Sequence, residues 1–125
     1  MNYLTDTNIL IYYFANSIPE KELEKINKIF QKSFNISVIT KIEFLGWDKH
    51  TDDGFQKARE FIDFANTFPL NNEITELAIK IRRKSHIKLP DAVIAATSLI
   101  EDLILVTRNE KDFKNINDLE IYNPF

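Results

Sequence analysis

The spacing of hydrophobic residues predicts four helices. In residues 20–32, apolar side chains recur every three or four positions with charged residues between them, which is typical of a helix with one buried face. The same period runs through residues 55–66 and 73–84. Residues 90–101 predict a helix that is more fully apolar than the other three, with Pro90 suited to its first turn.

Short apolar runs lie between these helices and are predicted to be strands. They are residues 1–5, 35–39, 67–70, 103–107 and 120–124. Runs this short and this apolar do not alternate as half-exposed strands do, which favours a parallel sheet covered by helices on both faces. The stretch around Glu43, after the second strand, is predicted to be a fifth helix. The predicted order is therefore β-α-β-α-α-β-α-α-β-β, an α/β sandwich formed by one domain, residues 1–125.

Composition excludes several classes of site. The chain has no cysteine, which excludes disulfides, Cys-ligated zinc and a thiol nucleophile and fits a reducing cytoplasm. Only two glycines occur, so a glycine-rich phosphate loop is absent, and the two histidines have no metal-ligand spacing. No apolar run approaches the roughly 20 residues of a membrane span, and no signal peptide is visible.

The overall charge of the chain says little about its partners, but one local cluster of basic residues is informative. The formal net charge is −3, so an overall basic nucleic-acid-binding surface is not indicated. Arg82, Arg83, Lys84 and Lys88 nevertheless form one basic cluster. This cluster is either a solvated helix end or a contact for phosphate groups, and the sequence leaves both interpretations open.

Four acidic residues occur where strands end or a helix begins. Asp6 directly follows the first strand, Glu43 lies in the segment after the second, and Asp112 follows the fourth. Asp91 opens the apolar helix that precedes the fourth strand. Because sites in open α/β sheets form at the carboxyl ends of the strands, these four acids can gather there. Crowded carboxylates raise one another's pKa unless a cation neutralises them, and an all-oxygen site suits Mg²⁺ or Mn²⁺.

Each of these acids also has a purely structural explanation. Asp6 could cap a helix starting near Asn8, and Asp112 could cap a short turn. Glu43 could be an exposed helical residue, and Asp91 could interact favourably with the dipole of its own helix. All four at one sheet edge favour the metal site, because separate local roles do not explain why the acids should meet.

At these residues the sequence resembles the PIN-domain ribonucleases, and within them the VapC-type toxins of toxin–antitoxin pairs. The matching stretches are DTNILIYYF (6–14), SVITKIEFLG (37–46), KLPDAVIAATSL (88–99) and LVTRNEKDF (105–113). The third is the most specific. The four occur in the family's order and span essentially the whole chain.

The resemblance implies a three-layer α/β/α sandwich with a parallel sheet of about five strands and β1 at its centre. It implies a cytoplasmic endoribonuclease toxin that cleaves RNA by metal-activated water, forms homodimers and is masked by an antitoxin. One or two Mg²⁺ or Mn²⁺ ions would be held by Asp6, Glu43, Asp91 and a fourth polar residue. Many relatives carry an acid at the position of Asn109, whereas here Asp112 is the nearer candidate for that charge.

The predicted site residues have different roles. Asp6 and Asp91 would be direct ligands, while Glu43 and Asp112 would complete the ligand shell or orient the attacking water. The residues predicted to hydrogen-bond these carboxylates are Thr7, Asn8, Thr107 and Asn109. The residues predicted to contact flanking phosphates are Arg108 and the basic cluster of Arg82, Arg83, Lys84 and Lys88. Tyr12, Tyr13, Phe14 and Trp47 could stack on bases, although core packing is the favoured role for most of them.

Other functions remain open from the sequence. A PIN-domain nuclease could process RNA without an antitoxin, or the fold could persist as a catalytically inactive binding module. A small-molecule phosphatase on a related α/β scaffold is a further alternative. The short chain without an added domain favours the toxin, and the presence of all four acids argues against an inactive site.

Overall fold

In the computed structural model, which describes residues 2–125, five parallel strands form one sheet. The strands are β1 (Tyr3–Thr5), β2 (Asn35–Ser37), β3 (Asn66–Phe68), β4 (Ile104–Val106) and β5 (Ile121–Tyr122). Their order is β3-β2-β1-β4-β5, and every neighbouring pair is parallel. β1 is therefore central, as predicted. The chain moves outward from β1 to β3 and then returns to β4 on the other side, which puts the topological switch point between β1 and β4.

Helices connect these strands and cover both faces of the sheet. They are α1 (Thr7–Phe14), α2 (Glu20–Lys32), α3 (Val38–Leu45), α4 (Asp52–Ile62), α5 (Asn72–Lys84), α6 (Leu89–Ile100) and α7 (Glu110–Phe113). The predicted helix at residues 20–32 is confirmed, and α5 and α6 each begin one residue before the predicted start. Within residues 2–125, no helix is both long and apolar enough to cross a membrane.

Two helices were missed by the predicted element order. α1 consists almost entirely of apolar residues, so no charged positions mark its period. α7 is only four residues long, which is too short to show a period at all. The order therefore has one more helix between β1 and β2, and one more between β4 and β5, than predicted.

Two predicted elements had wrong boundaries, and capping residues decide where the two helices concerned begin. The strand predicted at 35–39 ends at Ser37, whose hydroxyl accepts a hydrogen bond from Ile39 N at 3.1 Å and starts α3. The helix predicted at 55–66 begins at Asp52 instead, because the Thr51 hydroxyl accepts from Gly54 N at 3.0 Å. It ends at Ile62, so that the chain can enter β3.

The core shows why α6 lies so close to the sheet. Successive strand residues point to opposite faces, and Leu105 packs in a cluster with α5 and α6 while Val106 packs with α1 and α2. Ala92, Ala95 and Ala96 of α6 are fully buried. These small side chains let the helix backbone approach the strands, which fixes the position of the Asp91 backbone at the start of α6.

Candidate active site

The four predicted acids line one open pocket of about 660 Å³ at the carboxyl edge of the sheet. Asp6 follows β1 at the N-cap of α1, and Glu43 lies in α3. Asp91 lies in the first turn of α6, and Asp112 lies in α7. Four separate helices therefore bring one carboxylate each to the same space, which we call the acid pocket.

Asp6 is the most deeply held of these acids, with only 4% of its surface exposed. Its Oδ1 accepts a hydrogen bond from Thr7 N at 2.8 Å, so Asp6 does cap α1. Its Oδ2 accepts from the Thr107 hydroxyl at 2.7 Å and from Asn8 Nδ2 at 3.0 Å. Thr107 directly follows β4, so the bond to Asp6 crosses the switch point. Asp6 is therefore both the N-cap of α1 and a residue of the predicted site.

The environment opposes ionisation of two of the acids. Burial raises the pKa of Asp6 from 3.8 to about 6, with hydrogen bonds from Thr107 and Thr7 opposing this rise and the charges of Asp91 and Glu43 adding to it. Burial also raises the pKa of Asp91, as do the neighbouring Asp112 and Glu43, while Lys88 opposes the rise. A cation in the acid pocket would reverse this preference and favour the charged forms.

Glu43 and Thr7 connect α3 to α1. The Thr7 hydroxyl donates to Glu43 Oε1 at 2.8 Å and is also hydrogen-bonded to the buried Thr40 hydroxyl at 3.0 Å. The Glu43 side chain is exposed, as one sequence interpretation anticipated. The bond from Thr7 nevertheless holds one oxygen of the Glu43 carboxylate, and Thr7 and Glu43 both line the acid pocket.

Asn109 and Asp112 contact each other at the start of α7. Asn109 precedes the helix, its backbone N–H donates to the Thr107 hydroxyl at 2.9 Å, and its side-chain amide donates to Asp112 Oδ2. Both residues line the acid pocket. Their separation of three residues on a helical turn puts them on one face, as the sequence predicts. The two candidates for the fourth position therefore act as a pair.

Asp91 does not cap α6. The N-cap position belongs to Lys88, which forms no side-chain capping bond, and Asp91 is the third residue of the helix, in its first turn. An interaction with the positive end of the helix dipole remains compatible with this position. It does not account for the position of Asp91 on the acid pocket together with three other acids.

The structure separates the predicted phosphate-binding residues. Lys88 lines the acid pocket. Lys84 lines an adjoining cavity instead, and Arg82 and Arg83 are exposed on the last turn of α5 and line neither space. Arg108 lies with its guanidinium carbon 5.2 Å from the centre of the Tyr12 ring and 4.6 Å from that of Phe125.

The aromatic residues that were considered as stacking partners for RNA bases lie in different environments. Tyr13 stacks on Phe61 with ring centres 5.5 Å apart, and Phe14 packs edge-on against Phe44 at 5.1 Å, so both serve the core. Trp47 lines the acid pocket and packs against His50. Asp48, which the sequence reasoning missed, lines it as well. Asp48 follows no strand, so only the turn after α3 brings it there.

The carboxylate oxygens of the acid pocket are suitable ligands for a hard divalent cation, but they do not form a closed ligand shell. Within residues 2–125, no three acidic, histidine or cysteine side chains are close enough together to form a ready-made metal site. The acids instead surround a shared open space, with oxygen donors only and with the pKa of two carboxyls raised.

The PIN-domain family model matches residues 3–119. The chain belongs to the PIN domain family. The predicted resemblance is thereby confirmed, and it extends to solved structures along the whole chain. No curated protein sequence matches this PIN domain.

Three solved structures show how far the similarity reaches. A chain of a toxin–antitoxin complex from Klebsiella pneumoniae is 31% identical to this PIN domain, with 98% of each chain covered and a TM-score of 0.81. DNA-bound VapBC from Salmonella typhimurium gives 22% identity over 100% of this chain and 99% of the other, with a TM-score of 0.85. VapBC2 from Rickettsia felis, bound to a promoter DNA fragment, gives 23% over 98% of each chain, with a TM-score of 0.83. The last two matches establish the fold alone.

The raised pKa of Asp6 predicts how the metal-free PIN domain responds to pH. Between about pH 4 and pH 6 the folded state keeps a proton on Asp6 that the unfolded state loses, so stability falls as pH rises through this range. Asp6 is almost fully buried, and a rise from 3.8 to about 6 corresponds to about 3 kcal/mol. In chelator, the free energy of unfolding of the wild type should decline by about this amount relative to Asp6→Asn, measured by urea denaturation at several pH values.

The matched control for this measurement is Asp63→Asn, which removes an exposed aspartate at the end of α4. It should follow the wild-type pH dependence. If Asp6→Asn keeps the wild-type slope as well, Asp6 does not carry a raised pKa in the folded protein.

Proposed function

We propose that this PIN domain is a Mg²⁺- or Mn²⁺-dependent endoribonuclease and the toxin of a toxin–antitoxin pair. The observation that carries the proposal is the acid pocket, where Asp6, Glu43, Asp91 and Asp112 line one space beside the topological switch point. The fold around it matches chains of toxin–antitoxin complexes over almost its full length.

Asp6 and Asp91 are the residues best suited to hold a cation. They are the least exposed of the four acids, and the pKa of each is raised, so ionisation with a bound cation would relieve the unfavourable environment. Glu43 and Asp112 are exposed and would complete the ligand set. A bound Mg²⁺ or Mn²⁺, one or two per site, activates water for attack and neutralises charge on the phosphate.

The chain's own residues position these carboxylates and the substrate. Thr107 and Asn8 fix the Asp6 carboxylate, and Thr7 fixes Glu43. A carboxylate held by two or three hydrogen bonds does not need to reorganise when the substrate binds, which is a source of catalytic rate. Lys88 at the rim can contact a phosphate oxygen next to the cleavage site.

RNA-end sequencing after brief expression tests the proposed activity. We expect wild-type protein to generate new 5′ ends at a small set of RNA positions and to arrest growth. Asp6→Asn should produce neither effect, whereas Asp63→Asn should match the wild type. New ends that persist in Asp6→Asn would assign the cleavage to another enzyme, and a wild type with no new ends would indicate a binding module.

An antitoxin partner is the second part of the proposal. We expect a small protein encoded next to this one to co-purify with it and to insert an Arg or Lys side chain among the acids, because a charge-assisted bond to a carboxylate is strong. Co-expression should abolish RNA cleavage, and Asp91→Asn should weaken the complex. Wild-type protein that is harmless without any partner would instead favour an RNA-processing nuclease.

We also expect this PIN domain to act in the cytoplasm, where its RNA substrate would be, and to form a homodimer. Light scattering of the purified chain at several concentrations tests the dimer. A monomer at all concentrations would leave the nuclease proposal unaffected, since all four acids come from one chain.

A further inference from the structure

A second cavity, of about 430 Å³, adjoins the acid pocket. Its walls come from the end of α5, the segment 85–88, the start of α6, and the helix α7 with the residues that follow it. Lys88, Asp91 and Asp112 line both spaces and therefore form the border between them. We call this second space the lysine cavity.

Three of the residues that line the lysine cavity but not the acid pocket have basic side chains. They are Lys84, His86 and Lys111. Both lysines are exposed, and the ion pair found within residues 2–125 joins Lys57 to Asp53, so neither Lys84 nor Lys111 is neutralised by an acid of its own. Ser85 and Asn115 add a hydroxyl and an amide that can donate hydrogen bonds.

Local helix chemistry does not explain this arrangement by itself. Lys84 ends α5, where a cation favours the helix dipole, and that role would suffice for Lys84 alone. Lys111 comes from α7, a different element near the end of the chain, and its side chain lines the same cavity. Two lysines from separate helices around one space next to the acid pocket favour an anionic ligand that spans both spaces.

We propose that the lysine cavity binds the RNA phosphate adjacent to the one that is cleaved. The border carboxylates Asp91 and Asp112 repel a phosphate, so it would be held by Lys84 and Lys111, which do not line the acid pocket. A strand with one phosphate there would place its neighbouring phosphodiester in the acid pocket. This phosphate subsite rests on the proposed function, because its ligand is the RNA that the protein would cleave. The subsite would determine on which side of the scissile bond the protein binds the RNA.

The test is RNA binding by the double variant Lys84→Gln/Lys111→Gln. Asp6→Asn serves as the background, so that a fluorescein-labelled single-stranded RNA stays intact in Mg²⁺. Each phosphate contact contributes about −0.7 to the slope of log K against log salt for single strands. Because the two lysines hold one phosphate, we expect the slope to become shallower by about 0.7 and the affinity near 0.1 M salt to fall about fivefold.

The matched control is Lys80→Gln/Lys114→Gln, which removes two exposed lysines from the same segments, one turn away from each test position. Neither residue lines the lysine cavity. In the same Asp6→Asn background, this control should bind RNA with nearly the slope of the Asp6→Asn protein itself. Lys84→Arg/Lys111→Arg should restore binding, because it returns the charge, and melting curves should show that all variants remain folded.

Each outcome separates the subsite from the nuclease proposal. Equal losses in the test and control variants would overturn the subsite and leave only a diffuse positive field. Loss of antitoxin binding without loss of RNA binding would assign the cavity to the partner and also overturn the proposal. Wild-type protein that binds RNA through Lys84 and Lys111 but never cleaves it would support the subsite while the proposed function fails.

Discussion

Chelation of divalent cations is expected to abolish RNA cleavage, and added Mg²⁺ or Mn²⁺ is expected to restore it. The acid pocket contains carboxylates, amides and hydroxyls but no group with the reactivity of a thiol or an activated serine. Without a cation, the negative charges of Asp6, Glu43, Asp91 and Asp112 would repel the phosphodiester they surround. The expected loss is complete within the detection limit, measured as the initial rate on a labelled RNA oligonucleotide in excess EDTA.

Two controls make the chelation result specific to the site. EDTA already saturated with Mg²⁺ should leave the rate unchanged, and circular dichroism in free EDTA should show the folded protein. Cleavage at the full rate in excess chelator would overturn the metal mechanism and leave the four acids with structural roles only. Cleavage that disappears together with the folded signal would show that the cation supports the fold.

The sequence predicts this fold best in helices where charged residues separate apolar residues at helical spacing. α2 and α5 alternate charged and apolar residues over thirteen positions each, and their predicted extents agree with the structure within one residue. The period is hidden in α1, because that helix is apolar on nearly every side. It is absent in α7, which is a single turn. Local pattern also could not give the strand order, since pairing of β1 with β4 joins residues a hundred positions apart.

The acid pocket could be predicted because the carboxyl ends of parallel strands meet at one edge. That rule places Asp6 and Thr107 together before any coordinates are known. Asp48 and Lys111 follow no such rule. They reach the two cavities through a turn after α3 and a short helix after β4, and the course of such segments depends on long-range packing. The basic cluster was predicted as one unit, but the structure directs only Lys84 and Lys88 of its members toward these cavities.

The second large effect is expected from the acids themselves, with Asp6→Asn the most damaging. Its carboxylate accepts three hydrogen bonds at the switch point, and no other acid can take that place. An asparagine at position 6 would also place its own NH₂ group near the Asn8 amide and the Thr107 hydroxyl, which donate hydrogen bonds to the wild-type carboxylate. A loss of about 10³-fold or more in cleavage rate is expected, the scale of losing a preorganised electrostatic group. Asp63→Asn should retain the wild-type rate.

At the fourth position the structure joins the two candidates, so their substitutions should be read together. Asp112→Asn removes a charge at the rim of the acid pocket and should cost about 10–100-fold, the usual range for residues that tune a metal site. Asn109→Ala removes only the amide that orients Asp112 and should cost less. Asn109→Asp supplies the negative charge that the amide lacks and should keep or raise activity. Rates at saturating Mg²⁺ measure all three, and an inert Asp112→Asn beside a dead Asn109→Ala would reverse the assignment.

Asn109→Asp carries a second expectation that activity alone would not reveal. In the wild type, the Asn109 amide donates to Asp112, whereas in the variant two carboxylates would meet at that contact. Without a cation they repel each other, and a shared cation would remove that repulsion. The metal-free variant should therefore melt below the wild type, and Mg²⁺ should raise its melting temperature by more than that of the wild type. An equal rise in both proteins would mean that a cation in the acid pocket does not reach Asp112.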